Sequence, residues 1–327
     1  MNQLLTVAAS PHLHTRRTVS SCMWNVILAL LPAMAASLWF FGIGAAIVIV
    51  TAIVGCIATE YAVDRWLFGR PSSIMNGSAV LTGLLLAFNL PSNLPIWIVL
   101  IGSVVAVGIG KMAFGGLGCN IWNPALVGRV FLLISFPAQM TSWPLPMVNR
   151  LNYTDAVTGA TTLQWLQVGD AATGASPAQA VAEHVNMWDS AIGCIGGSLG
   201  EVSSLALILG AAYLLYTRII SWHIPVAVIG SFVLFTWAIG GNVLVEVFSG
   251  GLFLGALFMA TDYVTSPMSH KGMLVYGAMI GIITVIIRQW GAYPEGMSFA
   301  ILLMNSFVPL IDRYIKPTQF GERKVKK

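Results

Sequence analysis

The chain has 327 residues, 57% of them hydrophobic and only 9% charged, and its mean hydropathy is +0.82. A water-soluble domain of that composition would expose a large apolar surface, so the chain reads as an integral membrane protein whose spans of about 20 residues use up nearly all of its length. The formal net charge of +4 does not point to nucleic acid, because basic residues in such a chain are placed by membrane topology.

The opening residues, MNQLLTVAASPHLHTRRTVSS, lack the basic, apolar, then small-residue order of a cleaved signal, so Met1 is expected to begin the mature chain. His12 and His14 have no third ligand nearby and read as interfacial residues. Apolar runs bounded by Gly, Pro or charge then predict ten helices, near 22–41, 43–63, 77–89, 94–111, 124–137, 198–216, 222–238, 247–261, 270–288 and 297–315. The third, fifth and eighth are short for a hydrocarbon core about 30 Å thick, which predicts broken or re-entrant helices.

Lys and Arg placement supports ten spans with both termini inside. Of the sixteen basic residues, all but Arg129, Arg150 and Arg288 then fall on the cytoplasmic side. The expected organisation is a cytoplasmic segment over 1–21, a first five-helix half over 22–137, an extracytoplasmic loop over 138–190, a second five-helix half over 191–315 and a basic tail over 316–327. The loop carries Asp155, Asp170, Glu183 and Asp189 against Arg150 alone, which excludes a polybasic lipid-binding role.

NGSAVLTGLLLAFNLP (76–91) and SGGLFLGALFMATDYVTSP (249–267) share a Gly-rich short helix that ends in a polar, Pro-terminated break. They are the third and eighth spans, five apart, so the two halves would run in opposite senses as an inverted repeat. An ion path through this chain is expected along those breaks, from Asn76 to Asn89 and from Gly250 to Asp262. Glu60, Asn120, Asn123, Arg129, Glu201 and Asn305 also fall in or at the ends of spans. For Arg129 and Glu201 an ion pair that satisfies the bundle competes with a functional role, and Glu60 and Asp262 read as interfacial. GGLGCNIWNPALVGR (115–129) contains a single Asn-Pro-Ala triplet, whereas a water-channel fold needs two.

Cys22, Cys56, Cys119 and Cys194 are far apart, so most read as small packing residues, with Cys119 set apart by its Gly-rich surroundings. No Walker loop, dinucleotide fingerprint or His-Glu-x-x-His motif is visible, and no complete active site is expected in this chain alone.

The stretch DAVTGATTLQW (155–165) is polar in an otherwise apolar chain. Its local chemistry makes Thr161 or Thr162 the N-cap of a short helix TTLQWLQV, with Gly159 supplying a turn. That reading does not account for the order Asp155, Thr158, Gly159, Ala160, Thr161. Asp-x-x-Thr-Gly-Ala-Thr resembles the flavinylation motif of bacterial membrane redox complexes, in which the last Thr is esterified to the phosphate of FMN by a separate flavin transferase. GGLGCNIWNPALVGR, GSLGEVSSLALILGAAYLL and SGGLFLGALFMATDYVTSP extend the resemblance over nearly the whole chain. They are similar to the family that holds the D subunit of the Rnf electron-transport complex and the B subunit of the sodium-pumping NADH:quinone reductase. The short segment before the first span favours the Rnf side.

The resemblance implies an all-α fold of ten helices in two inverted halves, similar to urea and ammonium channels, in the cytoplasmic (inner) membrane of a bacterium or archaeon. It implies FMN joined to Thr161 by a phosphoester, with Asp155, Thr158, Gly159, Ala160 and Thr162 as the surrounding motif, and in some relatives a non-covalent riboflavin in the bundle. Gly159 and Ala160 would let a transferase approach the backbone, and Asp155 would orient the loop or a metal-bound flavin donor. Implied partners are a soluble NADH-handling subunit, an iron–sulfur subunit, a second flavinylated subunit, two small membrane subunits, the transferase and membrane lipid, with no nucleic acid. DAATGASPAQ (170–179) repeats the pattern and makes Ser176 a second candidate acceptor. Two functions stand side by side. One is an electron-transfer subunit of an ion-motive ferredoxin:NAD oxidoreductase, or of the quinone-reductase type, moving Na⁺ or H⁺. The other is a urea- or ammonium-type channel or transporter with a merely structural loop. A fluorescent flavin band after denaturation, dependent on the transferase, separates them.

Overall fold

The computed structural model of the chain describes residues 18–69, 73–148, 150–151, 153, 157–168, 187–193, 196–201, 203–291, 293 and 295–316. Among these residues the protein is helical, with one isolated β-bridge and no strand. Each of the ten apolar runs contains helix, and four helical stretches, Val19–Phe41, Ile43–Leu67, Ile96–Phe114 and His270–Trp290, are long and apolar enough to cross a membrane by length and composition.

The first half contains α1 (Val19–Phe41), α2 (Ile43–Ala62), α3 (Ser78–Phe88), α4 (Ile96–Val104), α5 (Pro124–Ser135) and the single turn α6 (Pro137–Met140). Polar caps set the starts. Thr18 accepts a hydrogen bond from the Ser21 amide to open α1, and Asn123 accepts one from Ala125 to open α5, with Pro124 at the first helical position. The Asn-Pro-Ala triplet is thus a helix start. Short helices α7 (Thr162–Val168) and α8 (Met187–Ile192) belong to the long connection. The second half contains α9 (Ser204–Tyr216), α10 (His223–Ile239), α11 (Val243–Phe248), the turn α12 (Leu252–Leu254), α13 (His270–Trp290) and α14 (Met297–Tyr314).

The expected helix at 198–216 begins only at Ser204, because Ser203 caps it and the preceding residues are used otherwise. Leu199 and Gly200 donate their amides to the carbonyls of Leu90 and Phe88 at 3.1 and 2.8 Å. With 11 residues, α3 covers about 16 Å. It stops inside the bundle, and backbone from the other half satisfies the groups at its end, as non-helical backbone in a membrane requires.

Helix α1 packs on α9, α5 on α14, α2 on both α3 and α4, and α10 on α13. Small residues permit these approaches. A Cβ on Gly210 of α9 would lie 2.1 Å from the Ala29 carbonyl oxygen, and one on Gly281 of α13 would lie 2.0 Å from Ser231 Oγ and 2.6 Å from the Val228 carbonyl oxygen. The core runs continuously through both halves, from Leu30 and Ala52 through Leu86, Phe88 and Leu126 to Phe232, Tyr276 and Ile301.

Gly281→Val should destabilise the chain by about 1–3 kcal/mol through overpacking, lowering its thermal midpoint in detergent. Gly230→Ala, which meets nothing within 4 Å, should leave the midpoint unchanged or raise it.

Candidate functional site

The polar motif is anchored at one end of the bundle, beside the junction of α1 and α2. Leu145 donates its amide to the Val157 carbonyl and Gly159 donates to the Trp143 carbonyl, both at 2.9 Å, so residues 143–145 and 157–159 pair antiparallel. Thr158 and Ala160 are exposed. Gly159 has no left-handed φ and supplies no turn of that kind; a Cβ there would lie 2.7 Å from Leu145 Cδ2, so its need is for space.

Thr161, in contrast, is only 6% exposed and Thr162 only 3%. Thr161 is the N-cap of α7, in a reciprocal capping box. The Gln164 amide donates to Thr161 Oγ1 at 3.3 Å, and the Thr161 amide donates to Gln164 Oε1 at 3.0 Å. Leu163 is buried against Gly250, whose φ of +69° and lack of a side chain admit it; a Cβ at Gly250 would lie 2.7 Å from Leu163 Cδ1 and 3.0 Å from Arg288 Nη2. Gln167 Nε2 donates to the Gly291 carbonyl at 3.0 Å, fastening the other end of α7 to the end of α13.

Thr161 and Thr162 face a crevice of about 20 Å³, room for a single water, lined also by Gly196, Gly197, Glu201 and Glu295. Glu201 and Glu295 pair with Arg129, which is buried: Glu201 Oε1 lies 3.8 Å from Nη2, and Glu295 is in direct contact with it. Arg129 Nη1 also donates to Asn89 Oδ1 at 2.9 Å and to Ser298 Oγ at 2.6 Å. One guanidinium therefore ties together α5, the end of α3, the 198–201 turn and the start of α14. A second guanidinium, Arg288, donates to the carbonyls of Glu246 at 2.7 Å and Ser249 at 3.0 Å and holds the α11–α12 link. The sequence placed Arg288 among the outer-side residues; the structure buries it.

At the other end of the bundle Lys111 Nζ donates to Glu60 Oε2 at 2.5 Å and to Ser78 Oγ at 2.7 Å. Ser73 Oγ donates to Glu60 Oε1 at 2.6 Å, and its amide to Asp64 Oδ2 at 3.0 Å. Glu60 is thus a fully buried ion-pair partner and not the interfacial residue expected. Next to this pair is a cavity with apolar walls, into which Lys111, Thr82, Asn120, Asn123 and Asp262 bring polar groups. The two short broken helices meet between the two ends, where Met259 accepts from Asn123 Nδ2 through its carbonyl at 3.2 Å and from Asn89 Nδ2 through its sulfur at 3.7 Å.

Of the expected site residues, Thr158, Gly159, Ala160, Thr161 and Thr162 lie together in the folded loop, and the capping reading of Thr161 holds in detail. Asp155, Ser176, His12, His14 and Cys194 lie outside the described residues. Among the described cysteines only Cys56 is buried, and Cys119 is exposed. Glu295 and Gln164 were missed by the sequence reading. Glu295 follows Pro294 in a short connection, where a carboxylate looks solvated, and Gln164 shows itself only as the fourth position of the pattern Thr-x-x-Gln.

Comparison with known proteins then decides the family. Residues 6–321 match the NQR2, RnfD, RnfE family. The D subunit of the sodium-translocating ferredoxin:NAD oxidoreductase complex of Acetobacterium woodii is 44% identical over all of this chain and 99% of its own length. The chain belongs to the NQR2, RnfD, RnfE family. Among other similar members, the D subunit of the proton-translocating ferredoxin:NAD oxidoreductase complex of Clostridium ljungdahlii is 42% identical over 98% of this chain and 97% of the relative. The D subunit of the ion-translocating oxidoreductase complex of Stutzerimonas stutzeri is 42% identical over 94% and 93%. The family match covers both halves of the bundle and the loop between them, so the Arg129 cluster and the Thr161 loop lie in one matched unit.

Arg129→Met should destabilise the chain by about 3 kcal/mol, because buried Glu201 and partly buried Glu295 are left without their cation. Adding Glu201→Gln and Glu295→Gln to it should recover most of the thermal midpoint in detergent.

Proposed function

We propose that this chain is the D-type membrane subunit of an ion-translocating ferredoxin:NAD oxidoreductase, an electron-transfer subunit that carries FMN on Thr161 and passes electrons on the extracytoplasmic side. Family membership over nearly the full length, with relatives named as the D subunits of such complexes, carries the reading. The Asp155-x-x-Thr158-Gly159-Ala160-Thr161 motif supports the attachment residue, and the absence of nucleotide and cluster motifs in the sequence supports a division of labour with NADH-handling and iron–sulfur partners.

The hydroxyl of Thr161 is chemically suited to a phosphoester, and its side chain borders the crevice beside Glu201 and Glu295, next to exposed Ala160. A crevice with room for one water cannot take an isoalloxazine ring, so the ring of an attached flavin lies outside it. The flavin would supply the one- and two-electron chemistry; Thr161 would fix its position, and the capped α7 would fix Thr161. The cavity beside Lys111 is the site proposed for a non-covalent riboflavin: it would have to widen from about 80 Å³ to take one, but its apolar walls suit a flat ring and Asn120, Asn123 and Thr82 offer partners to its heteroatoms.

Ten spans in two inverted halves remain the proposed topology. The α1–α9 and α5–α14 pairs join equivalent spans, and α2–α4 packing has its counterpart in α10–α13. The Lys and Arg distribution supports cytoplasmic termini and an outer Thr161 loop. Proposed partners are the remaining Rnf subunits, the flavin transferase and lipid. The coupling ion is Na⁺ or H⁺, and the relatives' names divide between them.

Thr161→Val keeps the β-branched shape and removes the nucleophilic oxygen. In protein made together with the transferase it should abolish covalent flavin and electron transfer at a stability cost of about 1 kcal/mol for the lost cap. Peptide mass spectrometry of the unsubstituted chain is the check. An adduct on Ser176 would move the site one motif along, and none on either residue would favour the channel reading.

A further inference from the structure

The residue proposed to accept FMN is the one whose hydroxyl the folded loop puts away. Attachment requires Thr161 Oγ1 to form a bond to the flavin-side phosphorus of a flavin dinucleotide. A phosphoanhydride bond breaks, the nucleoside monophosphate leaves, and the hydroxyl proton passes to a base on the transferase or to water. In-line attack needs open space behind phosphorus for the leaving group and contact with a whole enzyme around it. The folded chain offers neither. Thr161 is 6% exposed, it borders a crevice of about 20 Å³, and one lone pair of its hydroxyl is engaged by the Gln164 amide. The motif residues just before it, Thr158 and Ala160, are exposed, so the burial is specific to the acceptor and to the residues that follow it.

What holds the acceptor in place is identifiable. Gln164 closes the capping box, Leu163 is 5% exposed and fills the space left by the missing side chain of Gly250, and Gln167 is bound to the Gly291 carbonyl. These attachments all belong to one short segment, they all bind it to the second half of the bundle or to itself, and none passes through Thr158 or Ala160.

We infer that flavin is attached to Thr161 while the segment around residues 161–167 is undocked, and that Gln164 and Leu163, by docking it, close the site to the transferase. Maturation then has an order: attachment first, docking of the 163–167 stretch second, with the phosphate and ring left outside the one-water crevice. Gln164 and Leu163 are positioning residues in this account and take no part in the transfer. The inference rests on flavin attachment at Thr161.

The test uses the full chain, made without transferase, purified in detergent and then supplied with transferase, flavin adenine dinucleotide and Mg²⁺. Covalent incorporation is followed by in-gel fluorescence, and the modified residue is fixed by peptide mass spectrometry. The unsubstituted chain should be labelled slowly after folding, at a rate that stops rising as transferase is increased, because undocking limits it. Gln164→Ala keeps the backbone donor to Thr161 Oγ1 and removes only the acceptor of the Thr161 amide. A hydrogen bond of about 1 kcal/mol shifts such an equilibrium about fivefold, so this variant should raise the ceiling by up to about that factor, and Leu163→Ala, which removes the buried anchor, by about tenfold or more. Hydrogen exchange at the Trp165 amide, which donates to the Thr161 carbonyl, should speed up in parallel. If either variant does not fold, the saturating rate of the unsubstituted chain still decides, set beside its complete labelling when transferase is present during synthesis. Fast labelling of the folded chain in proportion to transferase, or variants labelled no faster while their Trp165 exchange rises, would overturn the inference. No adduct on Thr161 in any sample would instead remove the attachment reading on which it rests.

Discussion

A guanidinium keeps its charge at any pH the protein meets, so one buried in an apolar bundle must be surrounded by acceptors or it will not stay. Arg129 is that group, and the rest of the structure is arranged around it. Its partners come from three places far apart in sequence: Asn89 at the end of α3, Glu201 in the turn before α9, and Glu295 and Ser298 at the start of α14. Each is at or beside a point where regular helix stops. The early end of α3 and the late start of α9 leave backbone polar groups inside the bundle, and those two segments pair with each other through Leu199 and Gly200. Charge satisfaction and backbone satisfaction thus make the same demand, and both join the first half to the second.

The same logic operates at the opposite end, but within one half. There the buried cation is Lys111, in the first half, and its carboxylate, Glu60, is in the first half as well. The Lys111–Glu60 pair therefore stiffens one half, while the Arg129 cluster bridges both. A broken helix from each half reaches into the space between, and the two meet at Met259. A polar lining at the Lys111 end, a charged cluster at the Arg129 end and two helix breaks between them place polar groups along a bundle that is otherwise apolar. The loop bearing Thr161 borders the Arg129 end of that series, beside Glu201 and Glu295.

Much of this was legible in the sequence. The ten apolar runs all contain helix, because a membrane admits little else, and the short third, fifth and eighth runs are short in space too. Thr161 as a cap could be read from Thr-x-x-Gln, since capping is local. The ion partners could not. Nothing near Arg129 in sequence says that Glu295 reaches it across the bundle, and Glu60 looked interfacial because its cation lies 51 residues away. The burial of Thr161 was also invisible, because the space that receives α7 is made by Gly250 from the second half. Local patterns announce caps and spans; buried charges are matched by tertiary structure.

The central claim is that the Thr161 loop and the charged cluster under it face outward while the Lys111–Glu60 end faces the cytoplasm. Cysteine labelling in intact cells tests it most directly. In a chain with Cys22, Cys56, Cys119 and Cys194 replaced by Ala, single cysteines are placed at the exposed positions Thr158 and Lys271, at opposite ends of the bundle. A membrane-impermeant maleimide should label Thr158→Cys in intact cells and label Lys271→Cys only after permeabilisation. Labelling of Lys271→Cys in intact cells, with Thr158→Cys silent until the membrane is opened, would contradict the account.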